Sequence, residues 1–289
     1  MDSGVVGVAD PDRLGRTRLP DGRSLGWAEW GPEDGTPVLL CPGAATSRWL
    51  GFGAHVPGIR LISVDRPGLG ASDPHPGRTF DDWAADIADL LAARSLTRPA
   101  IVGFSQGAPF ALACATAGLT GPVALVSAGD ELADPRFADR LPPEVRGMLD
   151  LAARDPSAAE SLFATMTPDA MWDMVITMSG GTDREVYTTP EFERAYRRAM
   201  AECFAHGSAG YARDTLLAMR RWPFDIGAIT VPVDLWFGAK DTSPVHSPDF
   251  GELLATRMPA ARRHVDSDAG GAILWTHAEA ILSTLTSRD

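Results

Sequence analysis

Gly103-Phe104-Ser105-Gln106-Gly107 sets one serine between two glycines, where the apolar run Ala100-Ile101-Val102 gives way to an Ala- and Leu-rich stretch from Ala108 to Ala117. The run, bounded by Pro99 and the glycines, reads as a strand buried on both faces, and the stretch after it reads as a helix. A strand that turns sharply into a helix lifts a serine Oγ out of the sheet. It also aims the next backbone N–H, that of Gln106, at negative charge developing on an acyl oxygen. The chemistry implied is nucleophilic attack on a carbonyl. A glycine-rich turn that only packs a helix against a strand has the same letters, so the rest of the chain has to supply the decision.

The surrounding pattern supplies a sheet. Arg16 to Gly31 reads as a hairpin turning at Asp21-Gly22, and Val38–Cys41 and Leu61–Val64 read as central parallel strands that end in the loops Pro42-Gly43 and Pro67-Gly68-Leu69-Gly70. Trp83, Ile87, Leu90 and Leu91 have helical spacing, and Thr79 with Asp82 forms a capping signal, so Thr79 to Arg94 reads as an amphipathic helix. Strands recur at Val123–Ser127, Val233–Phe237 and Arg262–Val265, and a closing helix runs from about Ala272 to Leu285. This alternation predicts an α/β fold with a mostly parallel twisted sheet flanked by helices. Between about Asp130 and Trp222 the rhythm breaks into helical patterns alone: Pro142 to Ala153, Ala158 to Met166, Pro168 to Met178 and Pro190 to Ala205. The division expected is a core of residues 13–130 and 223–289 and a helical cap of residues 131–222. Phe163, Met166, Met171, Trp172, Met174, Phe192, Tyr196 and Phe204 suit either a packed core or a lid over an apolar pocket.

Composition narrows the function. With 289 residues, 45% of them hydrophobic, the chain can bury a large core, and a net charge of −12 argues against nucleic acid or anionic membrane as a partner. Residues 1 to 12 have neither a basic start nor an apolar stretch, so no signal peptide is expected and the cytoplasm is the expected compartment. Cys41, Cys114 and Cys203 are odd in number and widely spaced, which fits buried thiols better than disulfides or a zinc cluster. No cofactor or metal is expected; the partner expected is a small-molecule substrate, and the oligomeric state a monomer or homodimer.

With the elbow, Asp65-Arg66-Pro67-Gly68-Leu69-Gly70-Ala71-Ser72-Asp73 and Phe237-Gly238-Ala239-Lys240-Asp241 in that order, the chain resembles the α/β-hydrolase superfamily, of the type with a helical cap, from about Arg18 to Leu285. The resemblance implies Ser105 as nucleophile, Asp241 as the acid that orients the base, and the N–H groups of Gln106 and Ala44 as oxyanion donors. Asp130, after the preceding strand, is the alternative acid position. Two departures stand out. Pro42 occupies the place of the family's histidine before Gly43, and Gly271, in Ser267-Asp268-Ala269-Gly270-Gly271, stands where the catalytic histidine is expected.

A serine hydroxyl without a base stays protonated near neutral pH. His246, five residues beyond Asp241 in the same loop, is the favoured replacement; His206 in the cap and a buried Asp268 are the alternatives. His55 reads as a helix end over the first loop, His75 as a solvated loop residue, His264 as a sheet residue, and His277 as lying two turns into the closing helix. Three readings follow: a cofactor-free esterase or thioesterase with an unusual base, a lyase or cyclase relative in which Gly271 admits part of the substrate, and a ligand-binding relative without chemistry.

Overall fold

The computed structural model describes residues 8–54 and 56–286. His55 lies outside the described residues. Eight strands, β1 (Arg13–Arg18), β2 (Ser24–Trp30), β3 (Thr36–Cys41), β4 (Ile59–Val64), β5 (Ala100–Phe104), β6 (Val123–Val126), β7 (Val233–Gly238) and β8 (Ala261–Asp266), form one sheet in the order β1-β2-β4-β3-β5-β6-β7-β8. The β1–β2 and β2–β4 pairings are antiparallel and the rest parallel. The hairpin thus starts at Arg13, three residues before the break the sequence suggests, because Arg13 pairs opposite Glu29. Edge strand β1 turns Arg16 and Arg18 to solvent and edge strand β8 Arg262 and Arg263, whereas β5 is buried at every position, as strands covered on both faces must be.

Alternation along the strands sorts the core. Leu39, Ile62, Ile101, Leu125 and Leu235 face the helices α1 (Phe80–Ala93) and α2 (Ala108–Thr116). Val38, Leu40, Leu61, Val102 and Val126 face the other way, toward the C-terminal helices. The capping box at the start of α1 is present, with Asp82 N–H on Thr79 Oγ1 and Asp82 Oδ2 accepting from Thr79 N–H.

Between β6 and β7 the chain is helical: α3 (Pro143–Arg154), α4 (Pro156–Phe163), α5 (Pro168–Met178), α6 (Gly181–Tyr187), α7 (Pro190–Cys203) and α8 (Ala209–Ala218). Four of these begin on proline, whose fixed φ and missing N–H suit a first helical position, and those four are the ones readable from sequence. Two corrections concern α6 and α8, which the sequence pattern does not announce: each has a glycine in its first turn and no regular apolar stripe. The aromatic residues Phe192, Tyr196 and Tyr187 pack edge-on or tilted around Trp275 of the core, so this helical layer and the sheet share one apolar cluster.

After β7 come α9 (Glu252–Thr256), and after β8 α10 (Ile273–Thr276) and α11 (Ala278–Thr286). The closing helix is therefore broken at His277, where the sequence suggests a continuous one. His277 sits at the junction with its Nε2 3.1 Å from Asp266 Oδ2. No helix among the described residues is long and apolar enough to cross a membrane. All three cysteines are buried free thiols, and burial pushes Cys41 up to about 12.

Candidate active site

At the end of β5 the backbone of Ser105 takes the left-handed conformation, φ +49°, which costs a non-glycine residue on the order of 1–3 kcal/mol and is held only where the surroundings dictate it. The flanking glycines do the dictating. A Cβ on Gly107 would lie 2.0 Å from the Cys41 carbonyl oxygen, and one on Gly103 would lie 2.7 Å from Ala108 Cα. Only hydrogen fits at either place, so β5 and α2 close to a distance that leaves the serine at the bend.

The histidine beside Ser105 comes from the loop after β7. Asp241 N–H donates to Gly238 O at 3.1 Å, Ser243 N–H to Asp241 Oδ1 at 3.0 Å, and His246 N–H to Ser243 O at 3.3 Å, so the segment curls through successive turns. The curl returns the His246 ring to its own loop's acid. Nδ1 lies 2.6 Å from Asp241 Oδ2, and Nε2 lies 2.8 Å from Ser105 Oγ. An ionised carboxylate only accepts, so Nδ1 carries the proton and Nε2 is left to accept from the serine hydroxyl. Ser105, His246 and Asp241 thus form one hydrogen-bonded chain at distances that permit proton transfer.

Burial pushes the Asp241 carboxyl up, but the charge and hydrogen bond of His246, with the Ser243 N–H, outweigh it and leave the pKa below the ordinary carboxylate value. Asp241 stays ionised in the range where a histidine works.

Gly271 is not a gap. A Cβ there would stand 3.0–3.1 Å from the atoms of the Asp241 carboxylate, so the acid occupies the space a side chain would need. On its other side the loop is held by Asp183 of α6, which accepts from Gly271 N–H at 2.9 Å and Ala272 N–H at 2.8 Å, while Ser127 Oγ donates to Gly271 O at 2.9 Å. A Cβ on Gly270 would meet Asp183 Oδ1 at 2.2 Å. The two glycines therefore seat two carboxylates side by side. Burial is the main reason that the Asp183 pKa is raised, against its two N–H bonds, and the neighbouring Asp241 charge adds to the rise. Asp183 is a residue the sequence reading misses, since α6 is itself unannounced.

The first loop, Pro42-Gly43-Ala44, is fixed from below by a buried ion pair. Arg66 donates from Nη1 to Pro42 O at 2.7 Å and from Nη2 to Gly43 O at 3.2 Å, and its Nε meets Asp214 Oδ2 of α8 at 2.6 Å. Arg78 also donates to Asp214. With both carbonyls drawn toward Arg66, the loop meets Ser105 closely, a Cβ on Gly43 coming within 3.6 Å of the serine Cβ. Gln106 is tied to α8 through Nε2 on Thr215 Oγ1 at 3.0 Å. Ala44 and Gln106 both line the space beside Ser105.

The other candidates lie elsewhere. His206 is exposed on the helical layer. Asp268, expected to be buried if it served as base, is exposed and pairs with Lys240 Nζ at 3.0 Å. His264 Nε2 donates to Asp234 Oδ1 at 2.8 Å and its ring stacks on Trp236, a sheet residue as its place in β8 suggests. His75, read as solvated, is half-buried, and its Nδ1 is buried without a partner.

Asp130 has no histidine on it. Its Oδ1 accepts from Glu131 N–H at 2.6 Å, its Oδ2 is buried without a partner, and burial, its chief perturbation, pushes its pKa up to about 7. A carboxyl whose pKa is raised by folding binds its proton more tightly in the native state, so its stabilising contribution is full below the unfolded value near 4 and is lost as pH rises through about 7. Asp130→Asn is expected to remove that loss, gaining up to about 4 kcal/mol over the parent at pH 8 and nothing at pH 4. Urea unfolding of both proteins at the two pH values measures it. Asp65, also pushed to about 7 by burial, is present in both and cancels in the difference. A constant gap between the two proteins across pH would show that Asp130 is ionised in the fold at all these pH values.

Two cavities meet at Ser105, sharing Ala44, Met174, Met178 and Val245 in their walls. The smaller, about 90 Å³, lies on the side of His246, Asp241 and Gly271; the larger, about 420 Å³, lies on the side of Gln106. Met166, Met171, Met174 and Phe163 of the helical layer therefore line cavity wall, while Phe192 and Met200 are ordinary buried core. Among the described residues no group of three or more His, Cys, Asp or Glu side chains is disposed to hold a metal ion.

Comparison with known proteins agrees with this architecture. A sequence profile described as "Alpha/beta hydrolase family" matches residues 38–282. A non-heme chloroperoxidase of Streptomyces lividans is 37% identical over 101 residues, 32% of this chain and 36% of that protein; the chain thus spans about a third of the length of this curated relative. The esterase RhEst1 from Rhodococcus sp. ECU1013 superposes with a TM-score of 0.65 at 20% identity, over 95% of this chain and 98% of that one. For the bromoperoxidase from Bacillus anthracis the TM-score is 0.69 at 17% identity, over 95% and 100%. At these identities the structural likeness is one of fold.

Proposed function

We propose that this chain, which belongs to the alpha/beta hydrolase family, is a serine esterase or thioesterase for a small, largely apolar molecule, working with a histidine carried on the acid loop. The observation that supports this most is the unbroken chain from Ser105 Oγ through His246 to Asp241. In the reaction, His246 Nε2 takes the serine proton as Oγ bonds to the acyl carbon. The carbonyl π electrons move onto oxygen, where the N–H groups of Gln106 and Ala44 receive the charge. Collapse of the tetrahedral intermediate expels the alcohol or thiol, to which His246 returns the proton, and the acyl group stays on Ser105. Water then repeats the sequence, losing a proton to His246 as it attacks, and the acid leaves. Asp241 keeps the ring in the required tautomer and steadies the imidazolium; Arg66 holds the loop that carries Ala44, and Asp183 holds the Gly271–Ala272 backbone against which the Asp241 carboxylate sits.

The lyase alternative takes Gly271 as room for part of the substrate, and the binding alternative takes it as a missing base; the Asp241 carboxylate against that position and His246 Nε2 on Ser105 Oγ favour the esterase reading over both.

A fluorophosphonate probe tests the proposal directly. Ser105 Oγ is expected to displace fluoride and take up one phosphonyl group per chain, seen as a single mass increment on the peptide holding Gly103 to Gly107, and Ser105→Ala is expected to take up none. Absence of labelling in the parent protein, together with no turnover of simple esters, would remove the esterase reading.

A further inference from the structure

The two cavities at Ser105 differ in size by more than fourfold, about 420 against 90 Å³, and His246 lines only the smaller. That pairing carries information about which half of a substrate goes where. The leaving oxygen must receive its proton from His246 Nε2, so it and whatever it bears have to lie on the imidazole side. The acyl group then points the other way, into the large cavity beside Gln106.

We infer that the protein is built for esters joining a medium-length or bulky apolar acyl group to a short alcohol, not for acetates of large alcohols. This inference rests on the esterase reading above. The large cavity has the walls such an acyl group needs: Leu132, Val145, Met148, Phe163, Met166 and Met219 line it. Thioether side chains re-pack around chains of different shape, so the site accepts a range of acyl lengths with no single fixed outline. The small cavity has no comparable reach. Tyr187, Tyr196 and Asp183 line it. The two tyrosines are buried and pack edge-to-face with each other, and Asp183 is fixed by its bonds to Gly271 and Ala272. An alkyl group of many carbons leaving through it would have to displace these side chains.

Methyl nonanoate and octyl acetate are isomers with the same ester group and carbon count and opposite placement of the long chain, so they separate acyl from alcohol preference without changing overall hydrophobicity. Initial rates of acid release by the full chain, with both esters below saturation, are expected to give kcat/KM at least about tenfold higher for methyl nonanoate, since even one misplaced methylene in an apolar site is worth roughly that factor. Met148→Trp, which fills the large cavity, is expected to lower the ratio of rates on methyl nonanoate and methyl propanoate by about tenfold or more; Met219→Phe serves the same purpose should the first variant fail to fold. Equal rates on the two isomers, faster octyl acetate cleavage, or turnover of methyl propanoate with neither isomer cleaved would each overturn the inference and leave the esterase reading standing. No hydrolysis of any of the three, methyl propanoate included, would overturn the inference, and with no fluorophosphonate labelling of Ser105 as well it would remove both.

Discussion

His246→Ala is expected to lower kcat/KM by roughly 10⁴- to 10⁶-fold, the loss seen when a base that works as a unit with its nucleophile is removed. The fold should survive, because His246 is a loop residue between turns and no strand or helix depends on its ring. Near-UV circular dichroism and the urea midpoint of the variant report on that, and fluorophosphonate labelling of Ser105 should slow in parallel with turnover. Adding Gly271→His to this variant is not expected to restore the rate. That position is where the family pattern would put the histidine, yet a Cβ there comes within 3.0–3.1 Å of the Asp241 carboxylate and must push it out of line. Free imidazole in the buffer is the better rescue, since the space emptied in His246→Ala lies between Ser105 and Asp241. Retention of more than about a tenth of parental kcat/KM by His246→Ala would mean that another group takes the serine proton, and the proposed mechanism would fall.

The histidine on Ser105 also shows what a sequence can and cannot carry. The elbow is legible because backbone geometry there admits only glycine at Gly103 and Gly107, and the parallel strands are legible because burial on both faces demands unbroken apolar runs such as Ala100–Val102. Asp241 is legible from its place after a late strand. His246 could be narrowed to a candidate, but spacing alone does not say whether a residue five positions on curls back to its acid or points away; the three turn bonds between Gly238 and His246 decide that. Asp183 was beyond reach for a different reason. It sits on α6, a seven-residue helix with a glycine start, and meets Gly271 and Ala272 across 88 and 89 residues of chain. Arg66 stands between these cases. Its segment is conspicuous, but its service to the carbonyls of Pro42 and Gly43 depends on a partner, Asp214, in the other unannounced helix, α8.

Asp241→Asn is expected to cost about 10³- to 10⁴-fold in kcat/KM, and the reason lies in the imidazole tautomer rather than in charge alone. An amide presents an NH₂ group that donates, so the ring answers with Nδ1 as acceptor and moves its proton to Nε2. Nε2 then faces Ser105 Oγ as a donor and cannot take the hydroxyl proton. Asp130→Asn is the matched control, because Asp130 occupies the other acid position but its carboxyl bonds only the Glu131 N–H and touches no histidine. This second variant is expected to keep kcat/KM within about threefold of the parent. The pH–rate profiles sharpen the contrast. Since Asp241 is held below the ordinary carboxylate range, its protonation lies outside the acid limb of the parent's profile above about pH 4. Asp130, pushed up to about 7 by burial, would imprint its own titration on kcat near neutrality if it were the working acid. Removing it should therefore leave the profile's shape unchanged. A profile that loses its limb near pH 7 in Asp130→Asn, with Asp241→Asn nearly as active as the parent, would transfer the acid's role from the loop after β7 to the end of β6.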